Sequence, residues 1–201
     1  MTSTWLVSGR PASRGTRGSG WSRTAWTSRP ARARRPSAWS WLGAAPSFDA
    51  VLIALGGGAL ATGVGHVVKD LAPGVEVICV QPAGAPAMTL SWRQRRVVTT
   101  ETTDTIADGV AARLPIAAVL DDLLQVADDA VLVQETSIIA GMRLLLDHAG
   151  LVVEPSAALG IAAILEDRDR FASRHVVTIV CGGNVDPDAY RRWTGPAARE
   201  S

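Results

Sequence analysis

Phe48-Asp49-Ala50-Val51-Leu52-Ile53-Ala54-Leu55-Gly56-Gly57-Gly58-Ala59-Leu60 is the stretch whose reading decides the fold. Up to Leu55 it is a mostly apolar run of strand length, and the triple glycine stops it. The residues that follow, as far as Lys69-Asp70-Leu71, have helical length and end at Pro73-Gly74. Val75-Glu76-Val77-Ile78-Cys79-Val80 then reads as a second buried strand. Strand, helix and strand in this order make a βαβ unit, and such crossovers join parallel strands in a sheet covered by helices. The predicted fold class is α/β: a doubly wound, mostly parallel sheet with helices on both faces.

Downstream, Asp128 and Asp129 suit an N-cap and first turn. Leu132, Ile139, Met142, Leu145, Leu146 and Ala149 then keep one apolar helical face until Gly150 closes it. Leu151-Val152-Val153 is a short extended run, and Glu154-Pro155-Ser156 leads into a helix of small residues from Ala157 to Leu165. His175-Val176-Val177-Thr178-Ile179-Val180-Cys181 is predicted as a further core strand, halted by Gly182-Gly183-Asn184. Cys79 and Cys181 both fall in apolar runs that read as buried strands, so a disulfide is not expected.

Upstream the composition changes sharply. Residues 1–47 contain no Asp, Glu or Lys, but hold Arg10, Arg14, Arg17, Arg23, Arg29, Arg32, Arg34 and Arg35 among Trp5, Trp21, Trp26, Trp39 and Trp41. With no period of 2 or 3.6, the segment reads as a basic disordered arm, although five tryptophans fit that composition poorly. Arg interleaved with aromatics also suits nucleic acid, but no folded nucleic-acid module accompanies it. Over all 201 residues the apolar share is 47% and the net charge +1, which suits one globular core and gives no charge argument for nucleic acid or an anionic membrane. No apolar stretch reaches the roughly 20 residues of a membrane span, and no signal-peptide core is evident at the N-terminus, so a cytoplasmic protein is expected.

A glycine-rich loop between a strand and a helix lets several backbone N–H groups face one anion, helped by the helix dipole, and phosphate is the natural guest. Alone, Gly56-Gly57-Gly58 serves equally as a tight turn. Three further motifs follow in order: Thr105-Ile106-Ala107-Asp108-Gly109-Val110-Ala111, Val153-Glu154-Pro155-Ser156-Ala157-Ala158 and Cys181-Gly182-Gly183-Asn184. Together the four resemble the pyridoxal-phosphate-dependent threonine/serine dehydratases and the related serine racemases. The resemblance runs from Phe48 to about Thr194. It implies the cofactor-binding, C-terminal half of a fold type II large domain over residues 48–195, with a tail at 196–201.

By that resemblance, pyridoxal 5'-phosphate would be held at its phosphate by Gly56, Gly57, Gly58 and Ala59, with Leu60 beside them. Asp108, Gly109 and Glu154 would line the ring side, although Glu154 could equally be a plain helix N-terminal acid. Cys181 matches the Ser or Cys that faces the pyridine nitrogen, with Gly182 next to it. Ala59 replaces the family's usual fourth glycine, which matters only if that residue needs positive φ. The activity implied is elimination of water from a hydroxy amino acid, giving a 2-oxo acid and ammonia.

The chain departs from the family in two ways. The lysine that anchors the cofactor and moves the α-proton lies in a Ser-Phe-Lys-x-Arg-Gly-type motif upstream of the glycine loop, and neither it nor the Asn loop that grips the substrate carboxylate occurs here. Lys69, the only lysine, falls near the end of the helix after the glycine loop, where its ordinary role is C-terminal helix charge. No catalytic residue is therefore assigned, and covalent cofactor attachment is not expected. Second, Gln81-Pro82-Ala83-Gly84-Ala85-Pro86-Ala87 stands where some relatives carry oxygen ligands for Mg or Ca, so no metal is expected. His66, His148 and His175 show no ligand spacing and read as structural, and no C-terminal effector-binding domain is expected.

A third reading of residues 1–47 is a shifted frame, because TGG codons arise when apolar codons are read one base out. Reading Arg32 to Leu42 from the third base of Arg32 makes Gly-Thr-Ala-Ala-Val-Gly-Leu-Glu-Leu-Ala accessible, and a Gly-Thr…Glu-Leu helix precedes this strand in the family. The expectation is an inactive dehydratase fragment with a small amino-acid substrate in its parent, no nucleic-acid partner and no membrane. The alternatives are a half that complements a separate N-terminal half, a homodimer, a serine racemase-like relative, or a different α/β nucleotide-binding protein.

Overall fold

The computed structural model describes residues 48–195; the expectations for residues 1–47 and for the tail at 196–201 lie outside the described residues. Strand β1 (Ala50–Ala54) is followed by helix α1 (Ala59–Leu71) and β2 (Glu76–Pro82). Helices α2 (Ala87–Gln94) and α3 (Ala117–Val126) lead to β3 (Asp129–Val133). Then come α4 (Glu135–Ala149), a 3-10 turn at Pro155–Ala158, α5 (Leu159–Glu166), α6 (Arg168–Phe171), β4 (Val176–Thr178) and α7 (Pro187–Thr194).

All strand pairs are parallel, in the order β3-β2-β1-β4. β1 is apolar throughout and β2 is apolar from Val77 to Val80, because both faces are covered. Ala50, Leu52, Ile78 and Val80 pack with Ile138, Met142, Leu159 and Tyr190 from α4, α5 and α7. Val51, Ile53, Val77 and Cys79 pack with Val64, Val67, Met88 and Leu123 from α1, α2 and α3. The chain steps outward from β1 to β3 over one face, then returns over the other to lay β4 on the opposite side of β1. The winding therefore reverses between β1 and β4.

The βαβ unit and the Gly150 stop stand as predicted, Gly150 capping α4 at φ 66°. The helix start at Asp128-Asp129 is corrected. Asp129 opens β3 and Asp128 precedes it, where the Asp128 carboxylate accepts the Val77 N–H (2.7 Å) and the Lys69 ammonium (2.5 Å). Acids that suit a helix cap here bridge to a neighbouring strand. The strand predicted over 175–181 shrinks to Val176–Thr178, which among the described residues has a sheet neighbour on one side, and Cys181 is exposed rather than buried. The small-residue helix starts as a 3-10 turn, and α2 and α3 have no counterpart in the sequence reading.

The two sheet edges differ. On β3, Ala130 donates its N–H to Asp129 Oδ1 (2.7 Å) and accepts Arg93 Nη2 (2.9 Å), while Gln134 N–H goes to Glu166 Oε1 (2.7 Å). On β4, His175 C=O and Ile179 N–H bond toward β1, so alternation turns the amides of Val176 and Thr178 outward, where they find no acceptor or donor among the described residues. Below the sheet, Arg170 bridges Asp129 and Glu76 (both 2.6 Å), and Arg174 shares Glu76 (2.7 Å).

Candidate cofactor site at the β1/β4 switch point

In an open α/β sheet the crevice for a ligand lies beyond the carboxyl ends of the strands where the winding reverses. Here that crevice falls between the ends of β1 and β4, and the glycine loop and the Cys181 loop are the segments that leave those two strands.

Leu55 ends the pairing by donating to Val80 C=O (2.8 Å). Gly56 is buried, and a Cβ there would lie 3.0 Å from Val110 Cα, so the loop packs directly on the 3-10 turn Asp108–Val110. Gly57 is exposed, and among the described residues nothing lies within 4 Å of where its Cβ would stand. Gly58 is the N-cap of α1 at φ 89°, and Val119 Cγ1 lies 2.5 Å from where its Cβ would stand. Ala59 is the first helical residue and has negative φ, since the non-glycine residues with positive φ are Arg95 and Ser173. That answers the doubt about the fourth loop position: the residue needing glycine is Gly58. Leu60 is half-buried in the first turn, against the core on that face.

Thr62 satisfies Gly58 C=O through its N–H (2.9 Å) and hydroxyl (3.1 Å). The amides of Gly57, Gly58, Ala59 and Leu60 donate to no protein acceptor among the described residues, and no side chain caps the helix. Unfilled donors at the start of a 13-residue helix, with open space over Gly57, suit a phosphate dianion.

The ring-side residues converge from three segments. Gly109 is exposed and fits against Ser156 and Glu154: its Cβ would lie 2.9 Å from Ser156 Oγ and 3.5 Å from Glu154 Oε1. Asp108 is exposed at the start of the same turn. The turn is anchored by Ile106 N–H donating to Glu135 Oε2 (3.0 Å) and Ala107 N–H to Thr105 Oγ1 (3.0 Å). Gly182 presses on Glu154, whose carboxyl atoms lie 2.5–2.7 Å from a Cβ there. The Glu154 N–H donates to Gly182 C=O, and Asn184 N–H donates to Glu154 Oε2 (both 3.3 Å). Cys181 opens this loop as an exposed thiol. Ser156, which the sequence reading did not single out, is buried with its hydroxyl unpartnered among the described residues. Its one signal was a polar residue beside the Asp108-Gly109 turn's partner Glu154.

Lys69 stands apart. Ten residues along α1 from Ala59 is about 15 Å of helix rise, and its ammonium is occupied by Val75 C=O (3.1 Å) and Asp128 (2.5 Å). His66 pairs with Asp122 (2.5 Å), and among the described residues no cluster of three or more His, Cys, Asp or Glu side chains is placed to hold a metal. Cys79, buried in β2, is pushed up to about 12 by burial, with Asp129 and Asp128 adding to the shift, so it is an inert core thiol. No helix among the described residues is long and apolar enough to cross a membrane.

A parallel sheet with an amide-lined glycine loop at its switch point defines an α/β protein built to hold a phosphorylated cofactor. The profile of the pyridoxal-phosphate dependent enzymes matches residues 37–182, and the chain belongs to that family. It is 34% identical over 141 residues to an L-threonine ammonia-lyase of Thermotoga maritima, covering 70% of this chain and 35% of the relative. Threonine deaminase isoform 2 of Solanum lycopersicum superposes with a TM-score of 0.76 at 30% identity, over 82% of this chain and 46% of that one. Maize serine racemase gives 0.74 at 28%, over 81% and 50%. The chain thus spans about a third of the curated relative and about half of these solved chains.

Proposed function

We propose that this chain is the cofactor-binding half of a pyridoxal-phosphate-dependent threonine/serine dehydratase of the cytoplasm, inactive without a lysine-bearing N-terminal half. The observation that supports it most is the set of unfilled loop amides at the switch point, faced by the Cys181 loop. In this reading Gly56, Gly57, Gly58 and Ala59 hold the phosphate, Asp108, Gly109 and Glu154 border the ring, and Cys181 and Gly182 meet its nitrogen edge. The bound cofactor supplies the electron sink for breaking bonds at the substrate α-carbon. A neutral thiol at Cys181 leaves the ring nitrogen less protonated than an aspartate would, which favours β-elimination over transamination. Lys69, the only lysine in the sequence, is tied to Asp128 and does not serve as the base for the α-proton in this reading.

Titration of the purified chain with pyridoxal phosphate tests this. Saturable binding is expected without the absorbance change of a covalent lysine adduct, and with no ammonia released from threonine or serine. A covalent adduct lost in Lys69→Ala would overturn it. Restored activity on adding a separately expressed N-terminal half carrying Ser-Phe-Lys-x-Arg-Gly would identify the partner, whereas homodimerisation would give no activity. For residues 1–47 we propose a shifted frame; DNA sequence across the codons of Leu42 to Ser47 with no indel nearby would refute it.

A further inference from the structure

Glu154 touches the Cys181–Asn184 loop in three independent ways. Its own N–H is bonded to Gly182 C=O, its carboxylate accepts the Asn184 N–H, and the same carboxylate lies against the Gly182 Cα, where any Cβ would collide with it at 2.5 Å. Glu154 Oε1, which also lies 2.7 Å from the Gly182 Cβ position, stands 3.5 Å from the Cβ position of Gly109, so the carboxylate touches both the loop and the turn. Gly183 adds a fourth approach between the same two segments, with its Cβ position 3.1 Å from Val152 C=O. Beyond Thr178, the sheet bond seen among the described residues is Ile179 N–H to Leu52 C=O (3.4 Å). The segment at Val152–Glu154 therefore supplies contacts that the sheet does not.

From this geometry we infer that Glu154 is a positioning residue. Its carboxylate is the clamp that fixes the Cys181-Gly182-Gly183-Asn184 loop against the Asp108–Val110 turn, and so sets where the Cys181 thiol stands. This differs from both a pocket wall and a helix cap. Glycine at 182 follows from it, because the carboxylate occupies the space that a side chain there would need, whereas at 109 the close neighbour is Ser156 Oγ. The clamp itself rests on the contacts above, and its meaning for the ring nitrogen rests on the function proposed for the site.

The length of the side chain makes the inference testable. Glu154→Gln keeps both the reach and an oxygen acceptor, Glu154→Asp withdraws the acceptor by one methylene, and Glu154→Ala removes it. Hydrogen exchange followed by mass spectrometry on the full chain reads the clamp directly. Protection at Asn184 is expected to fall about tenfold in the Asp and Ala variants, equivalent to ~1.4 kcal/mol, and to stay within about twofold of the parent in the Gln variant. The β2 segment, residues 76–82, should keep its protection in all of them. Unchanged exchange at Asn184 in Glu154→Asp would overturn the inference, as would an equal loss in β2, which would signal general destabilisation. In a parallel titration, Glu154→Asp should weaken pyridoxal phosphate binding while inorganic phosphate binds as before. If the parent prefers neither ligand, the cofactor reading fails, and the exchange result still decides the clamp.

Discussion

Replacing Gly58 by alanine should cost the fold about 2–5 kcal/mol, as the sum of two separable effects. The residue sits at φ 89°, outside the region open to L-residues, for which we assign about 1–2 kcal/mol. Its new Cβ would also stand 2.5 Å from Val119 Cγ1, a methyl of α3 buried in the core, and forcing a methyl into a packed site costs about 1–3 kcal/mol. Urea denaturation of the parent, Gly58→Ala, Val119→Ala and the double variant resolves them. Val119→Ala makes room, so the double variant should lose less than the sum of the singles by roughly 1–3 kcal/mol, while the backbone part persists. Because Gly58 aims the loop amides, Gly58→Ala should also weaken phosphate binding, and Val119→Ala should not restore it fully. A Gly58→Ala chain within about 0.5 kcal/mol of the parent, or singles that simply add, would refute the geometry assigned to this turn.

Cys181 and Cys79 should differ in native alkylation: peptide mapping after iodoacetamide at neutral pH is expected to find Cys181 modified and Cys79 intact. The Cys79 thiol ionises at about 12 folded against 9.0 unfolded, so its contribution is complete below pH 9 and is lost as the pH rises toward 12. Cys79→Ala should flatten the alkaline limb of stability measured between pH 8 and 12. Arg170→Ala removes both ion pairs to Asp129 and Glu76, partly exposed at 26–32%, and is expected to lower stability by about 1–3 kcal/mol in urea. Thermal melts of Gly65→Ala should show a loss of similar size, because its Cβ would meet Val126 Cγ2 at 2.7 Å where α1 crosses α3.

The stretch from Phe48 to Val80 was legible because each signal was local: a run buried on both faces, a glycine break, and a helix of ordinary length. Asp128 was misread because its role is set by Val77 and Lys69, more than fifty positions away in the chain, and Asp129 because it pairs with Arg170, forty-one positions away. Local chemistry alone suits a helix cap equally well. The length of β4 was overestimated for a related reason: an apolar run extends as strand only while a neighbour supplies hydrogen bonds, and β1 stops supplying them after Leu52. The motif residues were found by pattern, but the contact of Glu154 with Gly182 and Asn184 joins segments about thirty residues apart. Ser156 and Val119 enter the site only through such contacts.

The unequal sheet edges bear on how this chain behaves in a crowd. A strand approaching β3 meets Ala130 and Gln134 groups already answered by Asp129, Arg93 and Glu166, whereas on β4 the amides of Val176 and Thr178 have no partner among the described residues. Among the described residues the two borders are thus unequally adhesive: a further strand is met by polar side chains at β3 and by bare backbone at β4, so association through the sheet is biased toward one side of the molecule.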